Sequence, residues 1–540
     1  MKSPLLIVAL ALLSAGPIVA QQAAEQAGQR SQPDPVKQIQ TDRSALAATQ
    51  ATLTGQRIVC QSSQAAGFPC GGIDLLAFLP ISEVGGTANG RVNDIWGWTD
   101  PDTEREYVII GRSDGTGFVD ITDPVSPVYL GNLPTQSSPS LWRDVKVLDH
   151  YAVIVSEASG HGLQVFDLHQ LRDVPEVPAR FEPTAHYDGF SSAHNVVVNE
   201  ATGFAYAVGV SGPGRVDCAP GLHAIDLADP LDPVFAGCFN SGLSRRSYVH
   251  DGQCVLYEGP DQRYQGREIC FNSEEDAIVI ADVTDKDAMQ ALAAQSYPGA
   301  SYIHQGWLSE DQRYFFQDDE LDELRQGQRT RTFVWDLADL EDPQLATIYE
   351  GTGSNIDHNQ YVRGRYLYQA NYTVGLRVLD IADPENPTEV AFFDTFTGRG
   401  TIGPDAPAFE GAWSVYPFFE SGVVAISSIR EGLFLVLPLF ELGRGTDTET
   451  EVPSVDRLTA AYPNPFNPQT SFTVELQQAQ RVRVSIYNAA GREVERLHDG
   501  LLGVGVHAYT FDATGRPSGV YWIRAEGATL QQTRSIVLLR

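Results

Sequence analysis

The chain has 540 residues and a formal net charge of −32, from 69 Asp and Glu against 37 Lys and Arg. That excess of carboxylates argues against nucleic acid or an anionic membrane as partner, because both repel a negative surface. It is compatible with a saline habitat, where salt screens the self-repulsion, and equally with an ordinary acidic secreted protein.

Residues 1–20 read as an export signal, with Lys2 in a positive first segment, an apolar run from Leu5 to Leu13, and Ile18-Val19-Ala20 as the cleavage region. The run is too short for a membrane span, and no other stretch approaches spanning length. Residues 21–57, rich in Gln, Ala, Ser and Pro, read as a flexible lead-in. Six cysteines follow: Cys60, Cys70, Cys218, Cys238, Cys254 and Cys270. Behind an export signal, an even count without Cys-x-x-Cys spacing favours disulfides over metal ligation. Pairing of sequence neighbours is the simplest of the fifteen connectivities open to six cysteines.

From residue 58 to 443 one pattern returns every 50 to 56 residues. Its first column is Asn93, Arg143, His194, His250, His304, His358 and Trp413. The residue after each is Asp94, Asp144, Asn195, Asp251, Gln305, Asn359 or Ser414. A second column closes an apolar run with Asp120, Asp167, Asp226, Asp282, Asp336 and Asp380, often followed by Asp-Pro, which is turn chemistry. Short β-rich runs at this period predict a seven-bladed β-propeller. In the first unit the expected strands are 93–98, 106–112, 117–121 and 127–132. The last unit has room for only about three strands, and Ile73 to Pro80 can supply the fourth, closing the ring and removing an exposed edge.

Several stretches carry a resemblance: Phe68-Pro69-Cys70-Gly71-Gly72-Ile73, Asn93-Asp94-Ile95-Trp96-Gly97-Trp98, Gly221-Leu222-His223, Gly266-Arg267-Glu268-Ile269-Cys270, and Asp357-His358-Asn359-Gln360-Tyr361. Together with His304-Gln305-Gly306-Trp307 and Asp318 to Glu323, they resemble the choice-of-anchor B proteins, built on LVIVD-type repeats. That resemblance covers nearly all of residues 60–440. It implies an exported bacterial propeller with a variable C-terminal anchor and brings no settled activity.

Residues 444–456 read as a polar linker. Tyr462-Pro463-Asn464-Pro465-Phe466 then opens a module of alternating strands that ends at Ser535 to Arg540, consistent with an Ig-like sandwich of about seven strands. With Gly491-Arg492 and Ser518-Gly519-Val520-Tyr521-Trp522, it resembles the type A C-terminal sorting domain of the type IX secretion system. The resemblance implies Sec export, recognition of residues 457–540 by the secretion machinery, and release or attachment at the outer surface. A permanent accessory domain is the alternative.

His194, His250, His304 and His358 occupy equivalent places in four consecutive units, so they could converge as ligands of a divalent transition metal. Asp94, Asp144 and Asp251 could then hydrogen-bond and orient the ligating imidazoles, or themselves ligate a hard cation such as calcium. The competing expectation is that repeats place the same residue where every unit needs the same hydrogen bond. Trp96, Trp98, Trp307 and Trp413 could stack on a sugar or aromatic ligand, or simply pack the core. Asp318, Asp319, Glu320, Asp322 and Glu323 could bind Ca²⁺ or form a solvated loop, the expectation favoured in so acidic a chain. The Asp column should cap turns. No Gly-x-Ser-x-Gly elbow, phosphate loop or His-Glu-x-x-His motif is present, and nothing marks a catalytic nucleophile. The leading expectation is a non-catalytic surface or secreted protein that binds a protein or glycan, and the runner-up is an oxidoreductase-like metalloenzyme using the four histidines.

Overall fold

The computed structural model describes residues 51–440 and 456–539, apart from positions 88, 212–217, 397, 399–401, 404–405, 460, 462–463, 477–479 and 503–504. The expected export signal, residues 21–50 of the lead-in, Tyr462-Pro463 of the tail opening, and all of the linker except Asp456 lie outside the described residues. Within residues 51–57, Leu53 pairs with Phe78 through two backbone hydrogen bonds, so this end of the expected lead-in joins the fold.

The described chain is all-β. Seven sheets, antiparallel except for one short added strand, follow one another along residues 64–438. Their first strands are Val92–Thr99, Arg143–Leu148, Asn195–Asn199, Asp251–Leu256, Ile303–Leu308, Gln360–Arg363 and Ala412–Tyr416. In the first sheet the expected second strand is observed as Glu106–Arg112, and the third and fourth as Gly115–Asp120 and Val128–Pro134. The seventh sheet contributes only Ala412–Tyr416, Val424–Ser428 and Gly432–Pro438, and Ile73–Pro80 pairs with the last of these as its fourth strand. Phe68–Gly71 covers the outer edge of the sixth sheet, and Ala179–Arg180 pairs in parallel with the outer strand of the first. Two strand edges open to intermolecular pairing are thereby occupied.

Apolar alternation in each sheet fills a core shared with the next. Trp98, Ile109 and Phe118 of the first sheet meet Val145, Ile154 and Phe166 of the second. Val153 and Leu163 then meet Val196 and Ala207, and Tyr206 and Leu222 meet Cys270 and Val279. Phe271 and Ile280 meet Phe315 and Phe333, and Phe316 and Val334 meet Leu367 and Leu379. Tyr368 and Val378 meet Val415 and Phe434. The cycle closes because Leu433, Leu435 and Ala425 of the seventh sheet pack on Val92, Val108 and Ile110 of the first. First strands touch in the same order, the seventh against the first.

The Asp column explains how each unit turns. Every one of its six carboxylates accepts a hydrogen bond from the backbone N–H two residues on: Thr122, His169, Ala228, Thr284, Ala338 and Ala382. In five sheets the ladder between third and fourth strands slips just before that Asp, at Val119, Ile225, Ala281, Trp335 and Leu379. The extra residue bends the outer strand, and the Asp fixes the turn that follows. Arg105, Arg267, Arg313 and Arg365, each just ahead of or opening its second strand, pair with Asp120, Asp282, Asp336 and Asp380.

Three disulfides join Cys60 to Cys70, Cys218 to Cys238 and Cys254 to Cys270, the sequence-neighbour pairing. The tail forms two further sheets. Arg457–Leu458, Gln469–Leu476 and Gly505–Asp512 make one, and Glu493–Leu502, Gln480–Asn488, Gly519–Glu526 and Gln531–Leu538 the other. Val482, Val484 and Ile486 alternate inward onto Val474, Phe511 and Ile523, while Arg481 and Arg483 face out.

Candidate functional site

The first strands gather the repeated polar column into three neighbouring groups. The first is an arc of histidines. Ring centroids lie 4.3 Å apart for His194 and His250, 4.4 Å for His250 and His304, and 4.3 Å for His304 and His358. His250 Nδ1–H donates to the carbonyl of His304 at 3.1 Å, and His358 Nδ1–H to the carbonyl of Trp413 at 2.5 Å, so each holds the next sheet. Both bonds leave Nε2 as the unprotonated nitrogen. His304 Nδ1 lies 3.3 Å from Asp318 Oδ2. Burial, with the charge of neighbouring histidines, pushes His250, His304 and His358 well below the usual range, so all three are neutral at pH 7. His194 differs. Burial opposes its charge, but Glu157, 2.8 Å from Nδ1, outweighs burial and raises it.

The four rings do not meet at one point. Among the described residues, the only buried set of three with ligand atoms all within 4.8 Å is His304, Glu320 and His358. His358 Nε2 lies 3.7 Å from Glu320 Oε1, which also accepts a 2.7 Å bond from Tyr372 Oη. A second, half-exposed set joins His150, Asp167 and His169.

The second group is ionic. Asp94, Asp144 and Asp251 are buried, but the positive charge among them is Lys146, which sequence reasoning passed over although it stands two residues beyond Asp144. Its Nζ lies 2.5 Å from Asp144 Oδ1, 3.7 Å from Asp94 Oδ2, and 4.8 Å above the ring of Trp96. Burial raises Asp94 well above the carboxylate range despite Lys146. Asp144 moves the other way, because Lys146 and the shared hydrogen bond with Asp94 outweigh its burial. Burial lifts Asp251 to about 7. Asp144 and Asp94 thus lie against an ammonium, and Asp144 Oδ2 also accepts the N–H of Val196 in the next sheet at 2.7 Å.

The third group is aromatic. Trp96 of the first sheet and Trp307 of the fifth both flank Tyr361, at 5.7 and 4.9 Å, and both reach Phe418 at 6.0 and 6.2 Å. Trp96, Trp307 and Phe418 keep part of their surface in solvent. Trp98 and Trp413 do not join them. Trp98 is buried and stacked on Tyr107 at 5.4 Å, and Trp413 is buried against His358 at 4.9 Å. A neighbouring sheet covers both rings, the core packing expected as the alternative to ligand stacking.

The solvated loop expected at residues 318–323 is also corrected. Asp318, Asp319, Glu320, Asp322 and Glu323 are all buried, since strand Tyr314–Asp319 runs directly into a one-turn helix, Asp322–Gln326, inside the fold. Asp319 accepts from Tyr297 Oη and from the N–H groups of Ser301 and Tyr302, and Asp322 pairs with Arg331. Both oxygens of buried Asp357 have no hydrogen-bond partner. Burial and neighbouring carboxylates push Asp357 well up and Glu323 to about 10.

Residues 460–539 match the secretion system C-terminal sorting domain, and residues 359–395 match the LVIVD repeat. The sorting domain makes this an exported protein, delivered by type IX secretion to the cell surface or extracellular space, with the secretion machinery as a partner. No helix among the described residues is long and apolar enough to cross a membrane. No curated protein matches the chain. Among solved structures, the chain is similar to PorZ, an essential bacterial surface component of the type IX secretion system of Porphyromonas gingivalis, at 11% identity and TM-score 0.37. That alignment covers 80% of this chain and 64% of PorZ. A Lactobacillus plantarum protein aligns at 12% identity and TM-score 0.39 over 78% of this chain and 99% of its own. The extracellular domain of a hybrid two-component system from B. thetaiotaomicron aligns at 12% and 0.42 over 86% and 58%. All three scores are too low for a fold to be read from them.

Proposed function

We propose that this chain is a seven-bladed β-propeller of the choice-of-anchor B type, led out by an N-terminal export signal, that works outside the cell as a binding protein and not as an enzyme. The cycle of seven sheets, closed by Ile73–Pro80 and by the core between the seventh and first sheets, supports the propeller. The polar column supports a structural role along its axis. Asn195 donates to the carbonyl of His250, Gln305 exchanges bonds with Gln360, and Asn93 donates to the carbonyl of Leu141, so these groups are occupied in joining blade to blade.

The observation that carries the binding reading is the aromatic mouth. Trp96, Trp307 and Phe418 come from three blades and present partly exposed faces at one end of the first strands. Such faces stack on the apolar side of a sugar ring or on an aromatic group. The ligand class is therefore a glycan. Affinity electrophoresis of the full chain through gels containing soluble polysaccharides tests this. Retardation by at least one polysaccharide, abolished in Trp307→Ala and retained in Trp522→Ala of the tail, is expected. Equal retardation of parent and Trp307→Ala, or none with any polysaccharide, would sink the assignment.

A further inference from the structure

We propose that His304, Glu320 and His358 form a binding site for one divalent transition-metal cation, a property beyond ligand binding at the aromatic mouth. Three features of the triad support it. The first is spacing. Two ligand atoms bonded to one ion at about 2.1 Å lie about 3 to 4 Å apart, and His358 Nε2 and Glu320 Oε1 stand 3.7 Å apart without any ion. Among the described residues, no set of three including His194 or His250 meets the same condition.

The second feature is orientation. A metal-bound imidazole offers one nitrogen to the ion and fixes itself through the other, usually to a carbonyl or carboxylate. His358 has that partner in the Trp413 carbonyl, and His304 has it in Asp318. Glu320 is held by Tyr372 Oη. All three side chains are therefore aimed by residues outside their own segments.

The third feature is charge. His304, Glu320 and His358 are at least nine-tenths buried, and so are Asp318, Asp322, Glu323 and Asp357 around them. Neither oxygen of Asp357 has a hydrogen-bond partner, and Arg331 is committed to Asp322. Carboxylates buried this deeply are expensive to ionise. A divalent cation at the triad would lower that cost. Two imidazoles with one carboxylate suit Zn²⁺, Fe²⁺, Co²⁺ or Mn²⁺ better than the all-oxygen preference of calcium.

The test is equilibrium dialysis of the full chain against micromolar Zn²⁺ and, separately, Co²⁺, with metal counted by mass spectrometry. Every sample carries His169→Ala, so that the half-exposed His150–Asp167–His169 set cannot contribute. One ion per chain is expected, with a rise in the thermal midpoint on loading. Glu320→Gln and His358→Gln should each weaken binding at least tenfold while circular dichroism stays native. His194→Ala should bind within threefold of its parent. If one triad variant fails to fold, the other decides. No stoichiometric metal in the His169→Ala chain overturns the site, as does equal loss of metal in His194→Ala, which would return the ligand set to the whole arc.

Discussion

Lys146 is the buried cation among Asp94, Asp144 and Asp251, so Lys146→Met removes the charge while keeping most of the volume. Its ammonium contacts Asp144 at 2.5 Å and Asp94 at 3.7 Å, and the carboxylate side chains are only 1% and 5% exposed. Removing one partner of such a pair leaves an uncompensated buried charge and costs about 3 to 5 kcal/mol. The pH dependence follows in sign. Lys146 holds Asp144 below its ordinary range, so that stabilisation is present above the unfolded Asp value and disappears as pH falls through the folded one. Lys146 is itself raised, so the same stabilisation persists until pH exceeds the ordinary lysine range. The loss in Lys146→Met should therefore be full at pH 7 and shrink toward pH 4 and below, where Asp144 can take a proton. Urea unfolding followed by tryptophan fluorescence measures it, since six of the seven tryptophans lie in the seven-sheet region. Adding Asp144→Asn to Lys146→Met should recover most of the stability at pH 7. A loss below about 1 kcal/mol at pH 7, or an equal loss at pH 4, would refute the reasoning.

Three further outcomes are expected. Asp251 has its folded value raised from 3.8 to about 7, so stability is fully present below the unfolded value and is lost as pH rises through about 7. Asp251→Asn cannot ionise, so its unfolding free energy at pH 8 should exceed the parent's by up to about 4 kcal/mol, and the two should converge at pH 4. Phe78→Ala should cost about 3 to 5 kcal/mol in urea unfolding, because Phe78 is buried on the closing strand against Phe68 and Phe434. Deleting residues 457–540 should leave the protein in the periplasm and protected from protease added to whole cells, whereas the full chain should be accessible outside.

How far the fold could be read from the chain depended on which constraints are local. Each Asp of the second column fixes its own turn within two residues, so its recurrence set the register of the sheets. The shortage of strands after Trp413 pointed to Ile73–Pro80, and that strand pairs with Gly432–Pro438. The disulfides followed their sequence neighbours because each bridge spans at most 20 residues. The site was less legible. The histidine column was visible, yet which imidazoles share a carboxylate depends on Glu320, just past the end of a second strand and outside the column. Lys146 was legible in principle, since a lone lysine two residues after an inner-strand Asp faces the same side. Burial of residues 318–323 was not, because acidity argues for solvent and only the fold shows Tyr297, Arg331 and Tyr372 closing over them. Trp98 and Trp307 look alike in the sequence, and only the neighbouring sheet decides which is covered.

Binding at the aromatic mouth is tested most directly by hydrogen–deuterium exchange of the full chain with and without a retained polysaccharide. The account predicts added protection in residues 92–99, 303–308 and 412–418, which carry Trp96, Trp307 and Phe418. Protection confined to the outer strands 128–134, 234–239 and 388–393, where Val128, Val234, Phe235 and Val390 are exposed, would contradict it.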